Sequence, residues 1–329
     1  MARLSRQQIG FFQTEGYLIV ADIFDPADLE PLRVELEERI DHKLRSLVAD
    51  GKLTDTHAAD DFDHRLASIY QDNPDNGQAV IRFLEGVAGG GHTGREMFRI
   101  ITHPKLVAAV ESLVGPEIVG SSIYRVRPKL PKIGRGVVPW HQDSGYFETL
   151  CDKHLILTCW VPLVDATAHN GCMQILPRAH RQGVATHHTG GNAGFLVIED
   201  ADLPLPPDKA ITAECPRGGV VFMWNTTPHC STPNHADQIR WSVDLRYQSA
   251  DVPNNAALLP DPDSPAVAPE FTIACYAPEA DFVIQSRAHP ERVTSFEQFV
   301  QRRNVFDQTT RAGKLHYPKR GWTPVVTAK

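Results

Sequence analysis

No stretch of the chain approaches the roughly 18 consecutive apolar residues that a membrane-spanning helix needs. The six cysteines form no C-x-x-C pair, and the N-terminal MARLSRQQIG lacks the apolar centre of a secretory signal. Free, mostly buried thiols in a reducing cytoplasm are therefore expected. Basic excess is missing too. Lys and Arg total 33 against 40 Asp and Glu, a formal charge of -7, which argues against a nucleic-acid or anionic-membrane partner. The pairs Arg302-Arg303 and Lys319-Arg320 are short and isolated, as solvated helix ends are. No strand precedes the glycine-rich residues 87–94 and no G-K-S/T occurs, so these read as a flexible loop rather than a phosphate cradle. There is no internal repeat, no low-complexity tract and no composition break that marks a second domain.

What remains is a globular chain, 42% hydrophobic and 22% charged, able to bury a real core. Its first third reads as helical. Ser5 and Gln8 have the spacing of a capping box, Ile9 and Phe12 share a face, and Gly16 is a stop. Tyr17–Val20 is a short strand. The next helix carries Leu29, Leu32, Leu36 and Ile40, and Pro31 favours Asp28 over Asp25 as its cap. Residues 50–95 are polar and interrupted by glycine, and Pro104–Gly115 is a further amphipathic helix. From residue 118 the pattern changes to short β-branched and aromatic runs: Ile118–Val126, Val137–His141, Leu155–Val161, Cys172–Leu176, Val220–Trp224 and Arg240–Tyr247. Several short strands without long helices between them predict a sandwich or barrel. A helix around Phe296, Phe299 and Val300 returns within residues 285–303.

Fifteen histidines beside six cysteines direct any search for metal chemistry to imidazole. Trp140-His141-Gln142-Asp143 is an H-x-D, and on a strand residues i and i+2 face the same side. His229 follows the apolar run of residues 219–224. Two histidines and one carboxylate are the facial triad that holds iron(II) on one side and leaves positions open on the other. Arg240-Trp241-Ser242 comes next, on a strand where Arg240, Ser242, Asp244 and Arg246 alternate with Trp241, Val243, Leu245 and Tyr247. One face of this strand packs on a core and the other lines something polar. A guanidinium in such a lining wants a carboxylate, with Ser242 as a further donor. A divalent iron, the Asp143 carboxylate, a dicarboxylate such as 2-oxoglutarate and the Arg240 cation sum to zero charge, so the cluster can be buried at tolerable cost.

At this point the chain resembles the phytanoyl-CoA dioxygenase (PhyH-like) family of iron(II)/2-oxoglutarate oxygenases. The resemblance runs from residues 8–17 (QIGFFQTEGY) through the Arg240 strand, about three quarters of the chain. It includes Trp140–Asp143, residues 170–177 (NGCMQILP) with His180, and His229, Ser231, Asn234 and Arg240 in order. Where the family usually reads Pro-Gly-Ser-His, this chain has Pro177-Arg178-Ala179-His180. The resemblance implies a mainly β fold with flanking helices: a double-stranded β-helix (jelly roll, cupin-like) core wrapped by N-terminal helices. It implies one domain over residues 1–329, with 1–116 as helical wrapping, 117–250 as the jelly-roll core and 251–329 as a C-terminal extension with a helix. His141, Asp143 and His229 match the iron ligands. Arg240 matches the residue gripping the distal carboxylate of 2-oxoglutarate, with Ser242 assisting and Trp160 walling the cosubstrate pocket. The family reaction consumes 2-oxoglutarate and O2, releases succinate and CO2 and oxidises a C–H bond, with hydroxylation as the default outcome. Retention of Asp143 argues against a halogenase, in which a small residue there frees a site for halide.

The partner expected is a small-molecule substrate. Tyr146, Phe147, Trp224 and Asn225 flank the triad in sequence and are candidates for the mouth of its pocket; Tyr124, Arg127 and Lys129 could meet an acidic substrate. For the aromatics the competing account is core packing, and for Arg127 and Lys129 it is solvated loop charge. His180 is expected to make a structural hydrogen bond, and His187, His188 and His235 are expected at the surface. Cys159 and Cys172 are expected as small core residues. Three other functions use much of the same pattern. The cofactors could drive desaturation, cyclisation or epimerisation; the triad could belong to a metal-bearing cupin-like binding protein; or zinc could make it a hydrolase. The last leaves Arg240-x-Ser242 without a task.

Overall fold

Ser5 accepts a hydrogen bond from the Gln8 amide while the Gln8 side chain accepts one from the Ser5 amide, and this capping box opens helix α1 (Arg6–Glu15). In the computed structural model, which describes residues 3–325 apart from 87–91, 122, 135, 148, 192–193, 251, 253–281 and 312–319, Gly16 ends that helix at a φ of 80°. Strand β1 (Tyr17–Val20) follows. Asp25 caps a 3-10 turn, Pro26–Leu29, in which the Asp28 carboxylate accepts a hydrogen bond from the Asp25 amide. Helix α2 (Glu30–Ala49) continues from this turn with Pro31 in its first turn and no side-chain cap of its own. Asp28 is therefore the reciprocal partner rather than the cap, because the preceding turn already supplies the entry to the helix.

The region read as polar and glycine-interrupted contains two helices, α3 (Arg65–Asp72) and α4 (Pro74–Glu85). Asn73 caps α4 through its side chain, and Val80, Ile81 and Leu84 form its buried stripe. The loop expected at 87–94 lies mostly outside the described residues. Helices α5 (Arg95–Ile101) and α6 (Pro104–Val114) complete this part. The start of α5 is held from a distance: the Glu35 carboxylate on α2 accepts from the Glu96 and Met97 amides and contacts His92 Nε2 at 2.5 Å.

Eleven further strands are described: β2 (Ile118–Gly120), β3 (Arg125–Lys129), β4 (Ile156–Pro162), β5 (Met173–Ile175), β6 (His188–Thr189), β7 (Ile211–Ala213), β8 (Val220–Trp224), β9 (His229–Ser231), β10 (Arg240–Ser249), β11 (Phe282–Gln285) and β12 (Thr323–Pro324). Helix α7 (Phe296–Arg311) lies between the last two. A seven-stranded sheet has the order β1-β8-β4-β10-β2-β11, with β3 also paired to β10. A three-stranded sheet has the order β7-β5-β9. The run Ile118–Val126 is thus two strands, and Val137–His141 is not a strand apart from one bridge at His141. The N-terminal β1 joins the large sheet beside β8, so the first third contributes to the sheet as well as covering it.

Period-two alternation sorts the large sheet into two faces. Leu157, Cys159 and Val161 of β4 and Trp241, Val243, Leu245 and Tyr247 of β10 join the core shared with Leu32, Leu36 and Ile40 of α2. Trp241 is fully buried and stacks on Phe62 with ring centroids 4.5 Å apart. Losing such a ring costs about 3–5 kcal/mol. On the other face, Trp160, Val221 and Met223 pack against Met173, Ile175 and Ala213 of the small sheet. A cavity opens between the two sheets beside this second cluster. Among the described residues, five cysteines are free and buried, while Cys275 lies outside them. No described helix is long and apolar enough to cross a membrane.

Candidate metal and cosubstrate site

The two histidines of the triad are neighbours through their backbones. His141 and His229 exchange amide-to-carbonyl hydrogen bonds at 3.0 and 2.9 Å, an isolated antiparallel bridge that leaves their rings 4.2 Å apart. Asp143 reaches the same point from the first residue of a 3-10 turn, Asp143–Tyr146, rather than from a strand as expected. One ligand atom from each of the three residues lies within 4.8 Å of the others, and all three residues are buried.

The protonation pattern suits a cation. His141 Nδ1 lies 2.9 Å from the Pro139 carbonyl and His229 Nδ1 lies 3.0 Å from that of Thr227. A carbonyl can only accept, so each Nδ1 carries a proton and each Nε2 is the ring nitrogen left for a metal. Burial, reinforced by the neighbouring His229, lowers His141 to about 3, so the ring is a neutral donor near pH 7. Burial opposes ionisation of Asp143, yet the Arg246 guanidinium, as charge and as hydrogen-bond donor, outweighs it and holds the carboxyl below the usual range. Arg246 donates from Nη2 to Oδ1 at 2.8 Å and from Nε to Oδ2 at 3.2 Å, and Thr158 Oγ1 also donates to Oδ2. Two imidazoles and one carboxylate on one side of a cavity are the donor set that suits iron(II), with room left opposite.

The loop carrying this triad is locked by residues with no local sequence signal. Gln142, fully buried, donates to the carbonyls of Gly183 and Thr226 and accepts from the Ala185 amide. The Gln142 amide donates to His187 Nε2 at 3.0 Å, and His187 Nδ1 lies 2.9 Å from the Ala185 carbonyl. His187 is therefore a buried support of the H-x-D turn, not the surface imidazole expected. His188 is partly buried and pairs with Asp202 at 2.9 Å, and His235 is exposed. His180 does make a structural contact, with its Nε2 3.3 Å from the Gln13 carbonyl.

The cavity has a volume of about 190 Å³, and its wall includes His141, Asp143, His229, Trp160, Arg127, Lys129 and Arg240. Arg240 Nη1 donates to Ser242 Oγ at 2.6 Å, and its guanidinium lies 5.1 Å from the centre of the Trp160 ring. Arg127 also lines the wall and pairs with Asp244 at 2.8 Å. Lys129 is only 2% exposed, so it is not a solvated loop charge; β3 carries it inward beside Arg240. The other candidates stand back. Tyr146 points its hydroxyl at the Leu196 amide, 2.8 Å away, with its ring edge toward His141. Phe147 packs with Cys151 and Ile156. Asn225 joins the Ile156 amide to the Ser144 hydroxyl, and Trp224 stacks between Phe12 and His180. Tyr124 lies in the helical core near Phe299. Arg246, which sequence reasoning placed only on the polar face of its strand, is the direct partner of Asp143.

Comparison with known proteins agrees with this arrangement. The profile of the family described as phytanoyl-CoA dioxygenase (PhyH) matches residues 12–242. Human peroxisomal phytanoyl-CoA dioxygenase is 25% identical over 258 residues, covering 75% of this chain and 69% of that protein. Mouse phytanoyl-CoA dioxygenase domain-containing protein 1 is 27% identical over 279 residues, covering 76% and 92%. Among solved structures, the apo form of the non-heme monooxygenase ThoJ superposes with a TM-score of 0.56 at 17% identity, covering 93% of this chain and 99% of that one. EvdO2 from Micromonospora carbonacea var. aurantiaca, complexed with 2-oxoglutarate, gives a TM-score of 0.50 at 21% identity, covering 75% and 92%. At these identities the solved structures share the fold, while the profile match spans more than two thirds of the sequence. The chain belongs to the phytanoyl-CoA dioxygenase family, the iron(II)- and 2-oxoglutarate-dependent oxidoreductases that use O2.

Proposed function

We propose that this protein hydroxylates an unactivated C–H bond of a small-molecule substrate. The balanced reaction takes 2-oxoglutarate, O2 and R–H to succinate, CO2 and R–OH, with one oxygen atom entering each of succinate and product. The observation that carries the proposal is the meeting, in one cavity, of a two-imidazole, one-carboxylate donor set with a buried guanidinium whose hydrogen bond goes to a neutral hydroxyl, that of Ser242. Iron(II) held by His141, Asp143 and His229 would supply the redox centre on which O2 reduction and decarboxylation are coupled.

The chain's own residues perform the rest. Arg240 and Ser242 would hold the distal carboxylate of 2-oxoglutarate, and the Trp160 face would wall that end against water. The Pro139 and Thr227 carbonyls fix the imidazole tautomers, and Arg246 with Thr158 fixes the Asp143 carboxylate. Arg127, held by Asp244, supplies charge to the wall that a polar or acidic substrate would meet. In this reading the two facing sheets are the halves of a double-stranded β-helix, and the described elements form a single domain. Tyr146 and Phe147 then support the wall rather than touch substrate.

Succinate release from 2-oxoglutarate under ¹⁸O2, screened across pooled small metabolites, tests the proposal. A substrate that accelerates succinate formation and gains one ¹⁸O supports it. A product that loses two hydrogens and gains no oxygen would overturn hydroxylation in favour of desaturation.

A further inference from the structure

The cavity ends in two cations to which no carboxylate hydrogen-bonds among the described residues. Lys129 closes β3 and Arg240 opens β10, and the two are directly opposite in antiparallel register. Opposed residues project from the same face of a sheet, so both side chains enter the same wall, and both line the cavity. They are 2% and 4% exposed. Lys129 Nζ donates to Ser231 Oγ at 2.7 Å and to the Thr232 carbonyl. Arg240 Nη1 donates to Ser242 Oγ, and Arg240 Nε has no hydrogen-bond partner among the described residues. All these acceptors are neutral. The carboxylate that attracts Arg240, Asp244, is already bound to Arg127 Nε at 2.8 Å.

Two like charges side by side in a dry wall are costly unless an anion shares them. The cost is visible in both groups. Burial and the adjacent Arg240 cation push the Lys129 ammonium down to about 6, and burial pushes Arg240 down to about 10. An ammonium has three protons and two of those on Lys129 are used locally, which leaves one donor for a ligand.

We infer that Lys129 is a second anchor for the distal carboxylate of 2-oxoglutarate, which is clamped between an ammonium and a guanidinium on adjacent strands. The inference rests on the assignment of that carboxylate to Arg240. It gives the site a reason to reject 2-oxo acids that lack a distal carboxylate, because they would leave the buried guanidinium unpaired and offer nothing to hold a proton on Lys129. A lysine that merely tied β3 to the 231–232 turn would serve both kinds of ligand equally.

Lys129→Gln removes the charge and keeps hydrogen-bond donors toward Ser231 and Thr232. Anaerobic calorimetry of the iron(II)-loaded protein, with 2-oxoglutarate and with 2-oxopentanoate, separates the roles. The expected result is 2-oxoglutarate binding weakened about tenfold to a hundredfold, with 2-oxopentanoate binding unchanged. Unchanged 2-oxoglutarate affinity, or equal loss for both ligands, overturns the inference. Arg240→Ala run in parallel keeps the two levels apart: if it retains full 2-oxoglutarate affinity, the assignment of Arg240 itself fails. A crystal structure of the unaltered protein with iron(II) and 2-oxoglutarate answers the same question without relying on a variant to fold. Lys129 Nζ within hydrogen-bond distance of the distal carboxylate supports the clamp, and separation beyond about 4 Å removes it.

Discussion

Replacing Arg240 with methionine should move stability and cosubstrate binding in opposite directions. The guanidinium is 4% exposed and is pushed from its ordinary value down to about 10, chiefly by burial. Held charged near pH 7, such a group costs the folded protein roughly 3 kcal/mol, at about 1.4 kcal/mol per tenfold change in proton affinity. Its local interactions offset part of this. The hydrogen bond to Ser242 contributes about 1 kcal/mol and the contact over Trp160 about another 1 kcal/mol. Arg240→Met in metal-free protein should therefore be unchanged to about 2 kcal/mol more stable in a urea titration. Removing one member of a satisfied buried ion pair would instead cost about 3–5 kcal/mol. For 2-oxoglutarate, two charge-assisted hydrogen bonds are lost, and the dissociation constant should rise about 100- to 1000-fold. Destabilisation by several kcal/mol with 2-oxoglutarate affinity intact would refute the reasoning, since Arg240 would then be a structural cation with a partner of its own.

Three further outcomes are expected. Asp143→Asn removes the counter-charge of Arg246, so metal-free protein should lose about 3 kcal/mol in denaturant, and dialysis against anaerobic iron(II) should leave it essentially unloaded. Gly16→Ala places a side chain at a φ of +80° and 2.8 Å from Thr227 Oγ1, so it should lower stability by about 2–4 kcal/mol, read as a lower thermal midpoint. The third concerns pH. Burial holds His92, His103, His180 and His187 below the ordinary imidazole value of 6.5, with His187 at about 4. The unfolded chain therefore takes up protons before the folded one does, and the stability these groups contribute is present above about pH 6.5 and lost as pH falls. Each fully linked imidazole removes about 1.4 kcal/mol per pH unit, so the urea midpoint of metal-free protein should fall steadily between pH 7 and 5. A midpoint that is flat or rises over that range contradicts the burial of these rings.

Strand β10 shows what the sequence reveals most directly. Its two alternating faces, Trp241 to Tyr247 toward the helices and Arg240 to Arg246 toward the cavity, follow from a period of two that any single strand displays. The Ser5–Gln8 capping box and the Gly16 stop are equally local. Helices α3 and α4 have apolar stripes, Leu66 with Ile69 and Val80 with Ile81 and Leu84, but these are short and share their buried faces with Arg65, Asn76 and Gln78, so the polar composition of residues 50–95 masks them. The N-cap Asn73 and first-turn Pro74 were the signals available for α4. The H-x-D spacing places His141 and Asp143 close together, but a 3-10 turn rather than strand alternation brings them there. The supports of the site were not legible because their partners are remote in sequence: His187 for the Gln142 amide, Arg246 for Asp143, and Lys129 beside Arg240.

The central claim is that His141, Asp143, His229 and Arg240 form one iron(II) and 2-oxoglutarate site. Anaerobic absorption spectroscopy addresses it most directly. Adding iron(II) and then 2-oxoglutarate should produce a visible metal-to-ligand charge-transfer band that neither component produces alone. The band should vanish in Asp143→Ala, and in Arg240→Ala it should require much higher 2-oxoglutarate concentrations. Protein that is fully loaded with iron(II) but develops no band at saturating 2-oxoglutarate would contradict the account.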